Sequence, residues 1–66
     1  KLNFFEFINR YRIEEAKYLL ENPDFNHKTM IEIMGDSGFN SKATFNTFFK
    51  KLVGSTPSQY RALQNN

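Results

Sequence analysis

Phe45, Phe48, Phe49, Leu52 and Val53 recur at steps of three and four residues. That is the single-stripe pattern of an amphipathic helix with one buried face. At about 100° per residue, the opposite face is centred on Ala43, Thr47 and Lys50, with Asn46 and Lys51 beside it. The pattern predicts a helix over 41–53. Ser41 or Asn40 is placed to cap it, and Gly54 ends it. A second periodic segment runs from about Leu2 to Asn22. Phe5, Ile8, Arg12 (through its stem), Ala16 and Leu19/Leu20 form one helical line there, and Ile13, Ala16 and Leu20 form another. Asn22-Pro23 stops this helix, because the residue before a proline is pushed out of the α region. Its apolar arc takes in Leu2, Phe4, Phe5, Phe7, Ile8, Tyr11, Ile13, Tyr18, Leu19 and Leu20. One small partner layer cannot cover so much apolar surface.

Between these two helices the chain reads as a connection over 23–28 and then a short helix. Thr29-Met30-Ile31-Glu32 has the form of a capping box, with Glu32 reaching back to the backbone of Thr29. Met30, Ile33, Met34 and Ser37 share one face of the short helix, and Gly38 is a natural left-handed stop. After Gly54, Thr56-Pro57 opens a last short helix, with Thr56 as cap and Pro57 at the first helical position. Gln64-Asn65-Asn66 are expected to fray.

Length and composition narrow the function. Sixty-six residues make at most one small domain. The chain has no Cys, which excludes disulfide staples and thiolate metal sites, and its single His27 reads as a loop residue without a role. No run approaches the roughly 20 apolar residues of a membrane-spanning helix, so no membrane contact is expected of this segment. No Gly-rich phosphate loop, and no nucleophile with a base at workable spacing, points to an enzyme or to a cofactor. Net charge is only +2, but its distribution is uneven. All seven acids fall within residues 1–36 beside five bases, whereas residues 37–66 carry Lys42, Lys50, Lys51 and Arg61 and no acid. A one-sided field of this kind favours a polyanionic partner.

These features combine into one geometry. Two helices joined by about four residues, Gly38 to Ser41, and a second helix with a buried stripe and an acid-free polar face describe a helix-turn-helix. In that motif the second helix enters the DNA major groove, where a carboxylate would be repelled by the phosphates. Phe39 is placed to plug the junction of the two helices, and Phe45, Phe48 and Phe49 face inward.

The residues Gly38-Phe39, Ser41, Phe45, Phe49-Lys50-Lys51, Gly54 and Thr56-Pro57-Ser58-Gln59-Tyr60-Arg61 resemble the signature of the AraC/XylS family of bacterial transcription regulators. Upstream, Arg12-Ile13, Ala16-Lys17 and Leu19-Leu20 resemble that family's "RI-x-x-AK-x-LL" helix. The chain departs from the common pattern at Met34, Gly35 and Ser37, and in the length of the Glu21–Lys28 connection. The resemblance implies an all-α, homeodomain-like fold. A linker helix lies over 2–22, a helix-turn-helix over 29–53 with its recognition helix at 41–53, and a short C-terminal helix over 56–63. It implies that the chain is a partial domain, holding the linker helix and the second of two helix-turn-helix units.

The implied function is sequence-specific binding of double-stranded DNA in a cytoplasmic regulator, or in the cytoplasmic portion of a larger one. Lys42, Ala43, Asn46 and Thr47 occupy positions that resemble the family's base-facing ones. Lys50 and Lys51 suit phosphate contacts, and Ser41 and Thr44 are weaker phosphate candidates near a helix N-terminus. Further partners implied are the missing first helix-turn-helix unit and a sensor domain of the same polypeptide, with RNA polymerase as another candidate. Arg61 is expected to pair with an acid of the linker helix, and Tyr60 to join the core. For Arg10 and Arg12, packing or surface pairing outweighs contact with DNA. The alternative function is a helical protein-interaction module docking through the apolar face of the linker helix. Alone, these residues are expected to bind duplex DNA only in the non-specific range, about 10⁻⁴ to 10⁻⁶ M. Titration of a duplex at fixed salt checks this, and nanomolar binding by the monomer would contradict the missing-unit reading.

Overall fold

The computed structural model describes residues 3–64. In chain order, α1 spans Phe4–Glu21, α2 Met30–Asp36, α3 Lys42–Val53 and α4 Pro57–Gln64, with a 3₁₀ turn at Pro23–Phe25. No strand occurs among the described residues, so the all-α expectation holds. Leu2, Asn65 and Asn66 lie outside the described residues, and Gln64 is the last residue of α4. No helix among the described residues is long and apolar enough to cross a membrane.

Each helix start is fixed by a side chain. Asn3 Oδ1 accepts the Glu6 backbone N–H at 2.8 Å, while Glu6 accepts the Asn3 N–H at 3.3 Å. Thr29 and Glu32 form the same reciprocal pair at α2, at 3.1 and 2.8 Å. The Thr29 N–H holds the Glu32 carboxyl below the ordinary carboxylate range. Thr56 and Gln59 repeat the arrangement at α4, at 3.2 and 3.0 Å. The Thr29 box and the Thr56 cap are legible in the sequence, since Thr56-x-x-Gln59 fits the Ser/Thr-x-x-Glu/Gln pattern, whereas Asn3-x-x-Glu6 has Asn at the cap position. At the end of α1, Asn22 is extended (φ −88°, ψ 118°) before Pro23, and its side chain accepts the Asp24 N–H at 2.9 Å, opening the 3₁₀ turn. Lys28 Nζ, 2.8 Å from Asp36 Oδ2, ties the connection to the end of α2. That hydrogen bond holds the lysine pKa above its ordinary value.

One core holds the helices together. It comprises Ile13, Ala16 and Leu20 of α1, Ile33 of α2, Phe39 of the turn, and Phe45 and Phe49 of α3. Of the two lines read on α1, the one through Ile13, Ala16 and Leu20 is buried. The line through Phe5 and Ile8 is not, since Phe5 is 60% exposed and Ile8 half-buried. The buried line runs back instead through Asn9, which is 1% exposed. A polar amide tolerates that position because it is satisfied. Its Nδ2 donates to the Phe5 carbonyl at 3.1 Å, and its Oδ1 accepts from Arg12 Nη1 at 3.4 Å. Leu52 also departs from the pattern: it is on the apolar stripe of α3 yet 39% exposed, in the wall of a notch that it shares with Glu6 and Arg10 of α1.

In the last helix Tyr60 joins the core as expected, but Arg61 takes a different partner. Tyr60 packs edge-on against Phe49, with ring centroids 5.5 Å apart, and its hydroxyl donates to the Glu21 carboxylate. Arg61 makes no acid pair with α1. Its Nη2 donates to the Lys28 carbonyl instead. Tyr60 takes Glu21, and Arg61, about 100° further round the helix, is turned toward the connection. The bond to Glu21, followed by burial, pushes the Tyr60 hydroxyl up from 10.0 to about 12. The protonated hydroxyl is therefore favoured in the folded chain. Its contribution to stability is complete below the unfolded value of 10.0 and is lost as pH rises toward about 12. Denaturant titrations across that window should show the parent losing more stability than Tyr60→Phe. Parallel curves would remove the bond from the account.

Candidate nucleic-acid interface

The turn between α2 and α3 sets the geometry of the exposed face. Gly38 has φ +98°, in the left-handed region. Its N–H donates to the Gly35 carbonyl, and the Phe39 N–H donates to the Met34 carbonyl, each at 3.0 Å. This pair of bonds is a Schellman closure, with glycine at the residue that must turn left-handed. The chain then re-enters a helix at Ser41, whose Oγ accepts the Thr44 N–H at 3.3 Å. Ser41, one of the two residues suited to cap the helix, is the one that does so, and α3 itself begins at Lys42.

Arg12 braces this turn from α1. Its guanidinium carbon stands 5.9 Å from the centroid of the Phe39 ring. A Cβ added at Gly38 would lie 3.2 Å from Arg12 Nε. With Asn9 holding Nη1, the arginine links the interior of α1 to the junction of α2 and α3. Asn9 carries no sequence signal for this role, since an Asn in a helix reads as a surface residue. For Arg12, the line of helical spacing through its stem was the available signal.

On α3, Phe45 and Phe49 are buried and Phe48 is half-buried against Phe5, with ring centroids 5.8 Å apart. Lys42, Ala43, Asn46, Thr47, Lys50 and Lys51 are exposed, whereas Ser41 and Thr44 are half-buried. The six exposed residues form one acid-free surface. Lys42 and Asn46 stand on its flank toward α2 and α4, lining a cleft of about 210 Å³ with Met30, Met34, Phe45 and Ser58. Lys51 stands on the other flank, its Nζ 6.0 Å from the centroid of the Phe48 ring. Lys50 and Lys51 also occupy the last turn of α3, where cations complement the helix dipole.

A family model described as a helix-turn-helix domain, of the AraC type, matches residues 1–63. The chain belongs to that family. Among curated relatives, an uncharacterised helix-turn-helix-type transcriptional regulator of Staphylococcus aureus is 40% identical over 60 residues, covering 91% of this chain and 8% of the relative. The melibiose operon regulatory protein of Escherichia coli is 35% identical over 63 residues, covering 96% of this chain and 20% of that protein. The chain thus spans less than a quarter of the length of these relatives. No solved structure gives a significant match. The AraC-type family is one of DNA-binding transcription regulators and is typically non-enzymatic.

The two glycines of this helix-turn-helix have opposite demands. Gly35 lies inside α2 with nothing within 4 Å of an added Cβ, whereas Gly38 is held left-handed against Arg12. Gly35→Ala should therefore raise stability by about 0.5–1 kcal/mol. Gly38→Ala should lower it by about 1–2 kcal/mol. Chemical denaturation of the two variants checks both signs.

Proposed function

We propose that α3 enters the major groove of duplex DNA and reads sequence there, as part of a transcription regulator. The observation that carries this reading is the orientation of one helix. Its rings are spent on the core, and its exposed side bears Lys42, Ala43, Asn46, Thr47, Lys50 and Lys51 without an acid. An α-helix about 10–12 Å across matches a groove about 12 Å wide.

Roles follow from chemistry. Asn46 can pair in two-point fashion with adenine, Lys42 can donate to guanine O6 or N7, and the Ala43 methyl can meet a thymine methyl. Thr47 can bond to either kind of edge. Lys50 and Lys51 meet phosphates, which adds affinity without sequence information. Ser41 and Thr44 contribute to phosphate contact from the half-buried start of the helix. The Ser41 hydroxyl keeps its proton to donate while its lone pair caps the helix.

The aromatic surface of α1 belongs to the same reading. Phe4, Phe7, Tyr11 and Tyr18 are all more than half exposed. They lie along one side of the helix, where a further helix-turn-helix unit of the same polypeptide would cover them. The greater length of the relatives leaves room for a sensor domain as well. RNA polymerase is a further candidate partner in the cytoplasm.

Substitutions separate reading from mere attraction. Asn46→Ala should change which sequence is selected from a randomised duplex pool, with a loss of about 1–3 kcal/mol at one base pair. Lys51→Ala should weaken binding to all sequences alike. Equal and sequence-blind losses from both would overturn base reading by Asn46.

A further inference from the structure

Arg10 and Lys51 line a single notch of about 70 Å³, where the first half of α1 meets the last turn of α3. Glu6, Phe48 and Leu52 complete its walls. Both cations are exposed. Among the described residues, the ion pairs are Lys17–Glu14 and Lys28–Asp36, so no carboxylate holds Arg10. Its two neighbours at helical spacing are otherwise engaged. Glu6 accepts the Asn3 N–H at the start of the helix, and Glu14 is 4.0 Å from Lys17. Arg10 is thus flanked by two acids at i±4 without a carboxylate in ion-pair contact, and it shares the notch with Lys51.

We infer that Arg10 is a second-element phosphate contact, forming with Lys51 a two-cation edge against one strand of the bound duplex. The inference rests on the groove reading of α3. A helix filling the major groove has a sugar–phosphate strand along each flank. At about 100° per residue, Lys42 and Asn46 fall on the flank toward α2 and α4, while Thr44, Phe48 and Lys51 fall on the flank toward α1. On this second flank the Lys51 ammonium lies by the Phe48 ring, and Phe48 in turn packs on Phe5 of α1. The packing that seats α3 on α1 thereby brings a guanidinium from 41 positions earlier in the chain beside Lys51. Arginine suits the task, because its planar fork can take two phosphate oxygens at once. Such a contact adds affinity and fixes the angle of the helix in the groove, and it carries no sequence preference.

The test uses the intact protein and a duplex of mixed sequence, with affinity measured across a salt series. Arg10→Ala should reduce the slope of log affinity against log salt by about 0.9. The ratio of parent to variant affinity should then change about threefold between 50 and 200 mM salt. Sequence selection should not move, and Arg10→Lys should restore most of the slope. Glu6→Gln keeps the capping acceptor and removes the one acid in the notch, so it should tighten binding to every sequence. A steep parent slope left unchanged by Arg10→Ala overturns this contact while leaving the groove reading in place. A parent slope near zero overturns the groove reading itself.

Discussion

Phe49 has no exposed surface, and it is held between the rings of Phe45, at 5.9 Å, and Tyr60, at 5.5 Å. Together with Phe45 it packs α3 onto Ile13, Ala16 and Leu20 of α1 and Ile33 of α2. The molecule has one core, and this ring pair occupies its centre. Removing a buried phenylalanine typically costs about 3–5 kcal/mol, a large share of the stability available to a chain this short. The same packing fixes which way α3 faces. Once two rings on a helix are committed inward, the residues about 180° away have no choice of direction. The exposure of Ala43, Thr47 and Lys50 is a consequence of where Phe45 and Phe49 are buried.

Short helices need more than a stripe. An isolated helix of seven or eight residues is well below the length that is stable in water, yet α2 and α4 have those lengths. Each begins with a reciprocal cap, and α1 does too. These caps satisfy the N–H groups that a helix start leaves open. They also set where each helix begins, and so the length of each connection. The left-handed glycines at 38 and 54 do the corresponding work at the helix ends. Arg12 then braces the α2–α3 turn from α1, which ties the exposed face of α3 to that helix.

Charge follows the division of labour. The acids fall on α1, α2 and the connection between them, where four of them hold other parts of the fold: Glu6 caps with Asn3, Glu32 caps with Thr29, Asp36 pairs with Lys28, and Glu21 accepts from the distant Tyr60. The second half of the chain keeps its cations unopposed. A polyanion approaching α3 meets fixed positive charge and no carboxylate on that face, which favours encounter at a rate that salt would reduce.

The helical stripe of α3, the Thr29 box, the glycine stops and the acid-free segment were all readable in the residues, because each is a local property with a period or a spacing of its own. The all-α fold follows from them, while the family rests on the spaced signature residues from Gly38 to Arg61 and on the family match over residues 1–63. What could not be read was rotation and partner choice. Asn9 is buried while Phe5 and Leu52 are exposed, since burial depends on which helix lies opposite, and no residue type decides that alone. Glu21 takes Tyr60, and Arg61 takes the Lys28 carbonyl, because neighbours on a helix point about 100° apart and only the docking of α4 chooses between them. Arg10 stands beside Lys51 for the same reason: the crossing of α1 and α3 brings together residues that the chain keeps far apart. Local order is written in the periodicity; the pairing of distant side chains belongs to the packed core.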